Sequence, residues 1–336
     1  MPAMIADHQR WRNASVDSHM LGIGGRKRSF FTLDSQAVED QYLFTSLRYD
    51  ANARPNKLNP PCCKEANSTY LFKYHFDRLK DGAGSRGWYD AQKCLKRPID
   101  LHNRLVSAVS QYEQKHGPKG PYKVRIKLKY HGNIEVSVAP EMSPYKRPLL
   151  YPTTLELFGG ESMHEAFKRH CIYKVVLDAL PTYKSLHTKT KTEWRSMYDY
   201  ARVSAGIQSF QDAKEVLLFN AEGQIMDGSI TTPYFYRNGS WVTPHASSGG
   251  NMGVTRRWAI DKCLCRPEVV HIDSLRQGET IWLSNAVKGF FTARFISRPD
   301  RCKAPSFRST STSTSSSLAA STDALPSPDF RLKSLL

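Results

Sequence analysis

The sequence predicts a mixed α/β protein built from two domains. Three observations lead there. Strand-like and helix-like segments alternate in both halves of the chain. Its 336 residues, 40% apolar and 11% aromatic, can fill more than one core. Four prolines, Pro140, Pro144, Pro148 and Pro152, mark a link near the middle. The expected division is a loose segment at 1–36, a small α/β domain at 37–150, a larger domain at 151–300 and a disordered tail at 301–336. In that tail 14 residues are Ser or Thr, nine of them in an unbroken run from Ser309 to Ser317, which cannot bury enough surface to offset the entropy of ordering.

The elements follow in order. Gln41 to Tyr49 reads as a strand. Thr69 to Tyr74 (TYLFKY) reads as strand-like and passes into a helix at His75. Between Ile99 and Lys115, Leu101, Leu105, Val106 and Val109 fall at helical spacing. Tyr122 to Tyr130 alternates as a strand, Gly132-Asn133 makes a turn, and Ile134 to Ala139 returns as a hairpin partner. In the second half, strands are expected at Tyr173 to Leu177, Glu215 to Asn220, Gln224 to Met226, Pro233 to Arg237, Ser240 to Thr243 and finally Thr280 to Leu283. Helices are expected at Thr192 to Ala205 and Thr255 to Cys263, the second after a Gly-rich loop, Ser247 to Gly253.

The charge balance restricts the function. There are 48 Lys+Arg against 31 Asp+Glu, a net +17. The segments 1–36 and 301–336 carry +2 and +3, so +12 falls on the folded middle rather than on a basic tail. Nucleic acid or small anionic ligands could answer that charge. No zinc-finger spacing is present, and Cys263, Cys265 and His271 are too sparse for a metal site. No apolar run reaches the ~18 residues of a membrane span, and Met1 to Asp17 has no signal-peptide core. Seven cysteines without a regular framework suit a reducing, cytoplasmic setting, so the Asn-x-Ser/Thr triplets at Asn13, Asn67 and Asn238 are discounted.

Two features carry chemistry. The loop Ser247-Ser-Gly-Gly-Asn-Met-Gly-Val254 enters a helix directly, and free N–H groups at such an end, with glycines permitting close approach, bind anions. The other is Lys189-Thr-Lys191 ahead of an amphipathic helix, where the helix dipole disfavours cations.

Taken with these, four segments in order resemble the fold-type IV pyridoxal-phosphate enzymes, the family of branched-chain and D-amino-acid aminotransferases and 4-amino-4-deoxychorismate lyases. They are Phe44-Thr-Ser-Leu-Arg48 with His75-Phe-Asp-Arg78-Leu79; Lys191 with Arg195; Lys214 to Gly228 with Thr231-Thr-Pro-Tyr-Phe235 and Thr243-Pro244; and Gly253-Val-Thr-Arg-Arg257 with Ser284-Asn-Ala286. The resemblance implies the two-domain fold of D-amino-acid aminotransferase, pyridoxal 5'-phosphate as cofactor and a homodimer. It implies Lys191 as the Schiff-base lysine, since its spacing to Arg195 fits the family better than that of Lys189. Asp227 falls where the family has Glu, as the partner of the ring nitrogen. Arg78, Val254, Thr255 and Ala286 match the phosphate ligands.

Within the family, Leu43 to Asp50, Lys73 to Leu79, Met226 to Tyr236 and Ser284 to Gly289 look like the fungal 4-amino-4-deoxychorismate lyases. That implies a lyase of folate biosynthesis releasing 4-aminobenzoate and pyruvate. Arg48, Arg125 and Arg195 are candidate partners for the carboxylates of a small anionic substrate. The alternatives are a class IV aminotransferase on the same cofactor and, more remotely, a basic nucleic-acid-binding protein.

Overall fold

A computed structural model describes residues 41–53, 56–57, 68–142, 149–155 and 173–297. The segments expected to be loose, 1–36 and 301–336, lie outside these residues, as do 143–148 of the proline-rich link.

The first sheet has three antiparallel strands in the order β1 (Tyr42–Tyr49), β2 (Tyr122–Lys129), β3 (Ile134–Pro140). Strict alternation gives β2 two unlike faces. Tyr122, Val124, Ile126 and Leu128 are buried, while Lys123, Arg125, Lys127 and Lys129 are half-buried on the other side. The apolar face packs with Leu43 and Leu47 of β1 on three helices: α1 (Phe72–Ser85), α2 (Tyr89–Cys94) and α3 (Pro98–His116). In α3, Pro98 opens the helix, Asp100 sits in the first turn and His116 in the last, and Gly117 follows at φ 74°. Each choice favours that end of a helix.

The Thr69–Tyr74 segment departs from its strand expectation. Only its first residues are extended: Thr69 bridges to Tyr49, and the Tyr70 N–H donates to the Arg48 carbonyl at 3.0 Å. Leu71 then takes a left-handed conformation, φ 56°, and α1 begins at Phe72. A buried leucine at positive φ is strained, and the sharp turn lets Phe72, Phe76, Leu79 and Ala83 join the core.

The second sheet has eight strands in the order β6-β5-β4-β11-β10-β7-β8-β9. They are β4 (Tyr173–Leu177), β5 (Lys214–Phe219), β6 (Ile225–Gly228), β7 (Thr232–Arg237), β8 (Ser240–Pro244), β9 (Arg266–Glu268), β10 (Thr280–Asn285) and β11 (Gly289–Ser297). The β4–β5, β4–β11 and β8–β9 pairs are parallel and the others antiparallel. The expected series of strands ended at Leu283. The structure adds β11 in the centre of the sheet, where Phe291, Ala293 and Phe295 are buried at alternate positions. It also adds β9, a short edge strand that tolerates Pro267.

Three further helices follow: α4 (Leu186–Lys189), and α5 (Ser196–Ser204) and α6 (Val254–Asp261), which pack on this sheet. The helix expected from Thr192 therefore starts four residues later. Both sheets belong to one compact unit. Among the described residues no helix is long and apolar enough to cross a membrane.

Candidate functional site

Lys191 lies in the turn between α4 and α5, not at a helix start, so the dipole objection raised by the sequence does not apply. Its backbone is held on the free edge of β1. The Phe44 N–H donates to the Lys191 carbonyl at 2.9 Å, Leu43 bridges to Thr192, and the Tyr42 N–H donates to the Glu193 carboxylate at 3.1 Å. A capping box at Ser185 and Thr188 fixes α4 just before it. Lys191 Nζ rests 5.2 Å from the centre of the Phe44 ring. Lys189, the other candidate, is exposed at the end of α4.

Asp227 is buried on β6, with Oδ1 accepting from the Gly228 N–H at 3.0 Å. Burial pushes its carboxyl up to about 8, against the opposing pull of Lys191. Lys191 is moved the opposite way, well below the usual lysine range, by desolvation first and then by Arg195 and Arg78, with Asp227 opposing. Each group thus favours its neutral form in the protein alone, and a cation brought to Asp227 would favour its charged one.

Two packing details fix Asp227. Glu215, fully buried on β5, accepts from the Ser229 N–H and hydroxyl and the Thr231 hydroxyl, at 3.0, 2.5 and 2.8 Å, so it shapes the turn after Asp227. Gly250 passes so close to β6 that a Cβ there would stand 2.0 Å from the Met226 carbonyl oxygen. Only glycine permits that approach, and it brings the Gly-rich loop beside the strand that carries Asp227.

The loop then feeds α6. The N–H groups of Val254, Thr255 and Arg256 in its first turn have no acceptor among the described residues. Thr255 Oγ1 accepts from the Ser284 hydroxyl at 2.7 Å, and Ser284 pairs with the Tyr234 hydroxyl at 2.7 Å. Arg78 reaches the same loop through a hydrogen bond to Asn251. Its guanidinium is lowered to about 10 by burial and by Arg257, an excess of positive charge suited to an anion. A cavity of about 210 Å³ opens here, bounded by Phe44, Arg78, Lys189, Lys191, Met252 and Arg257.

The remaining candidates divide. Arg195 donates to the Ser229 carbonyl at 2.8 Å and acts electrostatically on both Lys191 and Asp227. Arg125 stacks on Phe44 at 4.8 Å, the ring that also carries Lys191. Arg48 is buried and committed to Glu141 at 2.8 Å. Ala286, in the turn after β10, accepts the Arg48 N–H at 2.9 Å and packs in the apolar cluster that contains Val254. Glu215, Asn251 and Phe44 contribute without having been singled out. Their roles are long-range, and only the glycines flanking Asn251 gave a local signal.

The sequence matches the family described as amino-transferase class IV over residues 64–296. The chain belongs to that family. A provisionally named aminodeoxychorismate lyase of Schizosaccharomyces pombe is 23% identical over 239 residues, covering 69% of this chain and 87% of that protein. The aminodeoxychorismate lyase of Saccharomyces cerevisiae is 27% identical over 214 residues, 58% of this chain and 55% of the yeast protein, so the match spans about half that relative's length. Among solved structures, a provisionally assigned amino-acid aminotransferase from Mesorhizobium loti superimposes with a TM-score of 0.54 at 20% identity, covering 76% of this chain and 100% of that one. That likeness shows the class IV fold.

Proposed function

We propose that the protein binds pyridoxal 5'-phosphate through a Schiff base on Lys191 and converts 4-amino-4-deoxychorismate to 4-aminobenzoate and pyruvate, a step of folate biosynthesis. In this reading it is a cytoplasmic homodimer acting on a small anionic substrate. The observation that supports it most is half-buried Lys191 with buried Asp227, each shifted toward its neutral form, beside a helix entrance whose first N–H groups have no acceptor among the described residues. The residues fit the cofactor. Lys191 would hold its aldehyde carbon and Asp227 its ring nitrogen. Arg78 with the N–H groups of Val254 and Thr255 would hold its phosphate, and the turn at Ala286 would complete that end.

When bound, the cofactor supplies a carbonyl for the substrate amine and a ring that takes up electron density. The chain's own part is proton handling. A lysine amine kept neutral by burial is both a nucleophile and a base. With its amine free, Lys191 would remove the proton from the amine-bearing ring carbon. The C–H electron pair joins the new aromatic ring as the C–O bond to the enolpyruvyl group breaks. Lys191 returns the proton to the leaving group, which becomes pyruvate. Arg125 and Arg195 stand beside Lys191 as carboxylate partners, whereas Arg48 already serves Glu141.

The test is product analysis. Purified protein should release pyruvate from aminodeoxychorismate with no added 2-oxo acid, and borohydride reduction should fix the cofactor on Lys191. Lys191→Ala should abolish both. A strict requirement for a 2-oxo acid acceptor would favour the aminotransferase. An adduct on another lysine would overturn the assignment.

A further inference from the structure

Beyond the lysine itself, two aromatic rings in this region each carry two cations. Phe44 holds Lys191 at 5.2 Å and Arg125 at 4.8 Å. Phe210 holds Lys123 at 5.8 Å and Arg202 at 4.5 Å. The two sets are joined. Lys123 and Arg125 are successive residues on the same face of β2, about 7 Å apart along the strand. Arg202 donates to the Ser229 hydroxyl at 3.2 Å while Arg195 donates to the Ser229 carbonyl at 2.8 Å. The groups thus share one neighbourhood: Arg195 and Arg125 both act electrostatically on Lys191, and Arg125 acts on Lys123.

Arg202 is answered by Asp212 and, through the Ser229 hydroxyl, by buried Glu215, whereas the two β2 cations are balanced less well. Lys123 and Arg125 make no ion pair or side-chain hydrogen bond with another described residue. The carboxylate that acts on Lys123, Glu141, is bonded to Arg48 at 2.8 Å. Like charges held together while half-buried are mutually destabilising, and the aromatic rings stabilise them only weakly. A bound anion would relieve them. One carboxylate placed beside Arg125 leaves Lys123 without a bonded anion.

We propose that Lys123, backed by Arg202 across Phe210, forms a second carboxylate subsite one β2 side-chain repeat away from Arg125, so that the cleft selects substrates with two anionic groups. The proposal takes Lys191 as the reaction centre, as above, and adds a determinant of specificity remote from it. Arg202 also donates to the Ser209 carbonyl at 2.9 Å, which fixes it in place, so Lys123 is the residue to vary.

The experiment is calorimetric titration of the cofactor-loaded protein with two probes, isophthalate (an aromatic dicarboxylate) and benzoate (its monocarboxylate counterpart). Wild type should bind isophthalate about tenfold or more tightly than benzoate, the range expected of one added charge-assisted contact. Lys123→Gln should remove that preference and leave benzoate binding unchanged. Lys123→Arg should restore most of it, which a purely structural role would not predict. Equal binding of the two acids by wild type, binding of neither, or equal weakening of both by Lys123→Gln would overturn the subsite. Borohydride labelling of Lys191 in Lys123→Gln reads the reaction centre separately. Loss of that label in wild type would sink the assignment of Lys191, while the isophthalate–benzoate difference still reports on Lys123.

Discussion

The two faces of β2 differ in what they give the molecule. Tyr122, Val124, Ile126 and Leu128 close a core with three helices, whereas Lys123, Arg125, Lys127 and Lys129 turn to the side where Lys191 rests on Phe44. One eight-residue strand thus separates stability from binding by side-chain parity alone. The cleft side tolerates crowded positive charge because the core side holds the strand in place. Asp227 and Lys191 extend the contrast, for the surrounding packing moves both of these ionisable groups toward their neutral forms.

The strongest way to break this contrast is at Asp227. Asp227→Asn should lower turnover about 10²–10³-fold, the range for removing one preorganised electrostatic partner. The same variant should alter stability in the opposite sense. Between the ordinary carboxyl value near 4 and the folded value of about 8, the folded cofactor-free chain holds a proton that the unfolded chain has released. Stability contributed by this group therefore falls as pH rises across that window. Asp227→Asn should remove the decline, so its melting temperature, measured without cofactor, should gain on wild type steadily from pH 5 to pH 8. Parallel melting curves across that range would contradict the placement of Asp227 in an apolar setting.

The core side should fail in the other currency. Ile126 is fully buried. Ile126→Ala should cost about 2–5 kcal/mol, read as a fall in denaturant midpoint, with the surviving folded fraction keeping its substrate affinity. Arg125→Gln, on the next residue, should leave the midpoint nearly unchanged and raise KM for aminodeoxychorismate about tenfold, equivalent to one charged contact. If the two variants exchanged effects, the division of the strand into a packing face and a binding face would be wrong.

How much of this was legible in the sequence follows from the range of each interaction. The parity of β2 is written in Tyr122 to Lys129 and needs no partner to be read. Asp227 and Lys191 became candidates through the resemblance of their flanking segments to the family, with the spacing to Arg195 favouring Lys191 over Lys189. The start of α1 was misplaced because the aromatic run from Thr69 favours a strand, and only packing forces Leu71 through a left-handed turn. Glu215 gave no signal, since its partners lie 14 and 16 residues away across a turn. The Phe210 cluster gave none either: Lys123 is on β2, Arg202 on α5 and Phe210 in the turn before β5, and they meet only after the sheets are formed.

The smallest expected effect lies at the far end of the same cationic row. Lys129 pairs with Glu135 at 2.9 Å, with Lys127 also within 3.8 Å of that carboxylate, and all three side chains are partly exposed. Solvent screens such pairs. Lys129→Ala should therefore cost at most about 1 kcal/mol by denaturant titration, and should leave KM as it was, because its charge already has a counter-ion on β3. Lys123 and Arg125 share the strand and the face but have no bonded counter-ion among the described residues, Glu141 acting on Lys123 only electrostatically. An equal rise in KM for Lys129→Ala and Arg125→Gln would mean that the whole row steers anions by net charge, rather than two positions holding them by contact. A rise confined to Arg125 and Lys123 would locate binding where the protein leaves its own cations unpaired.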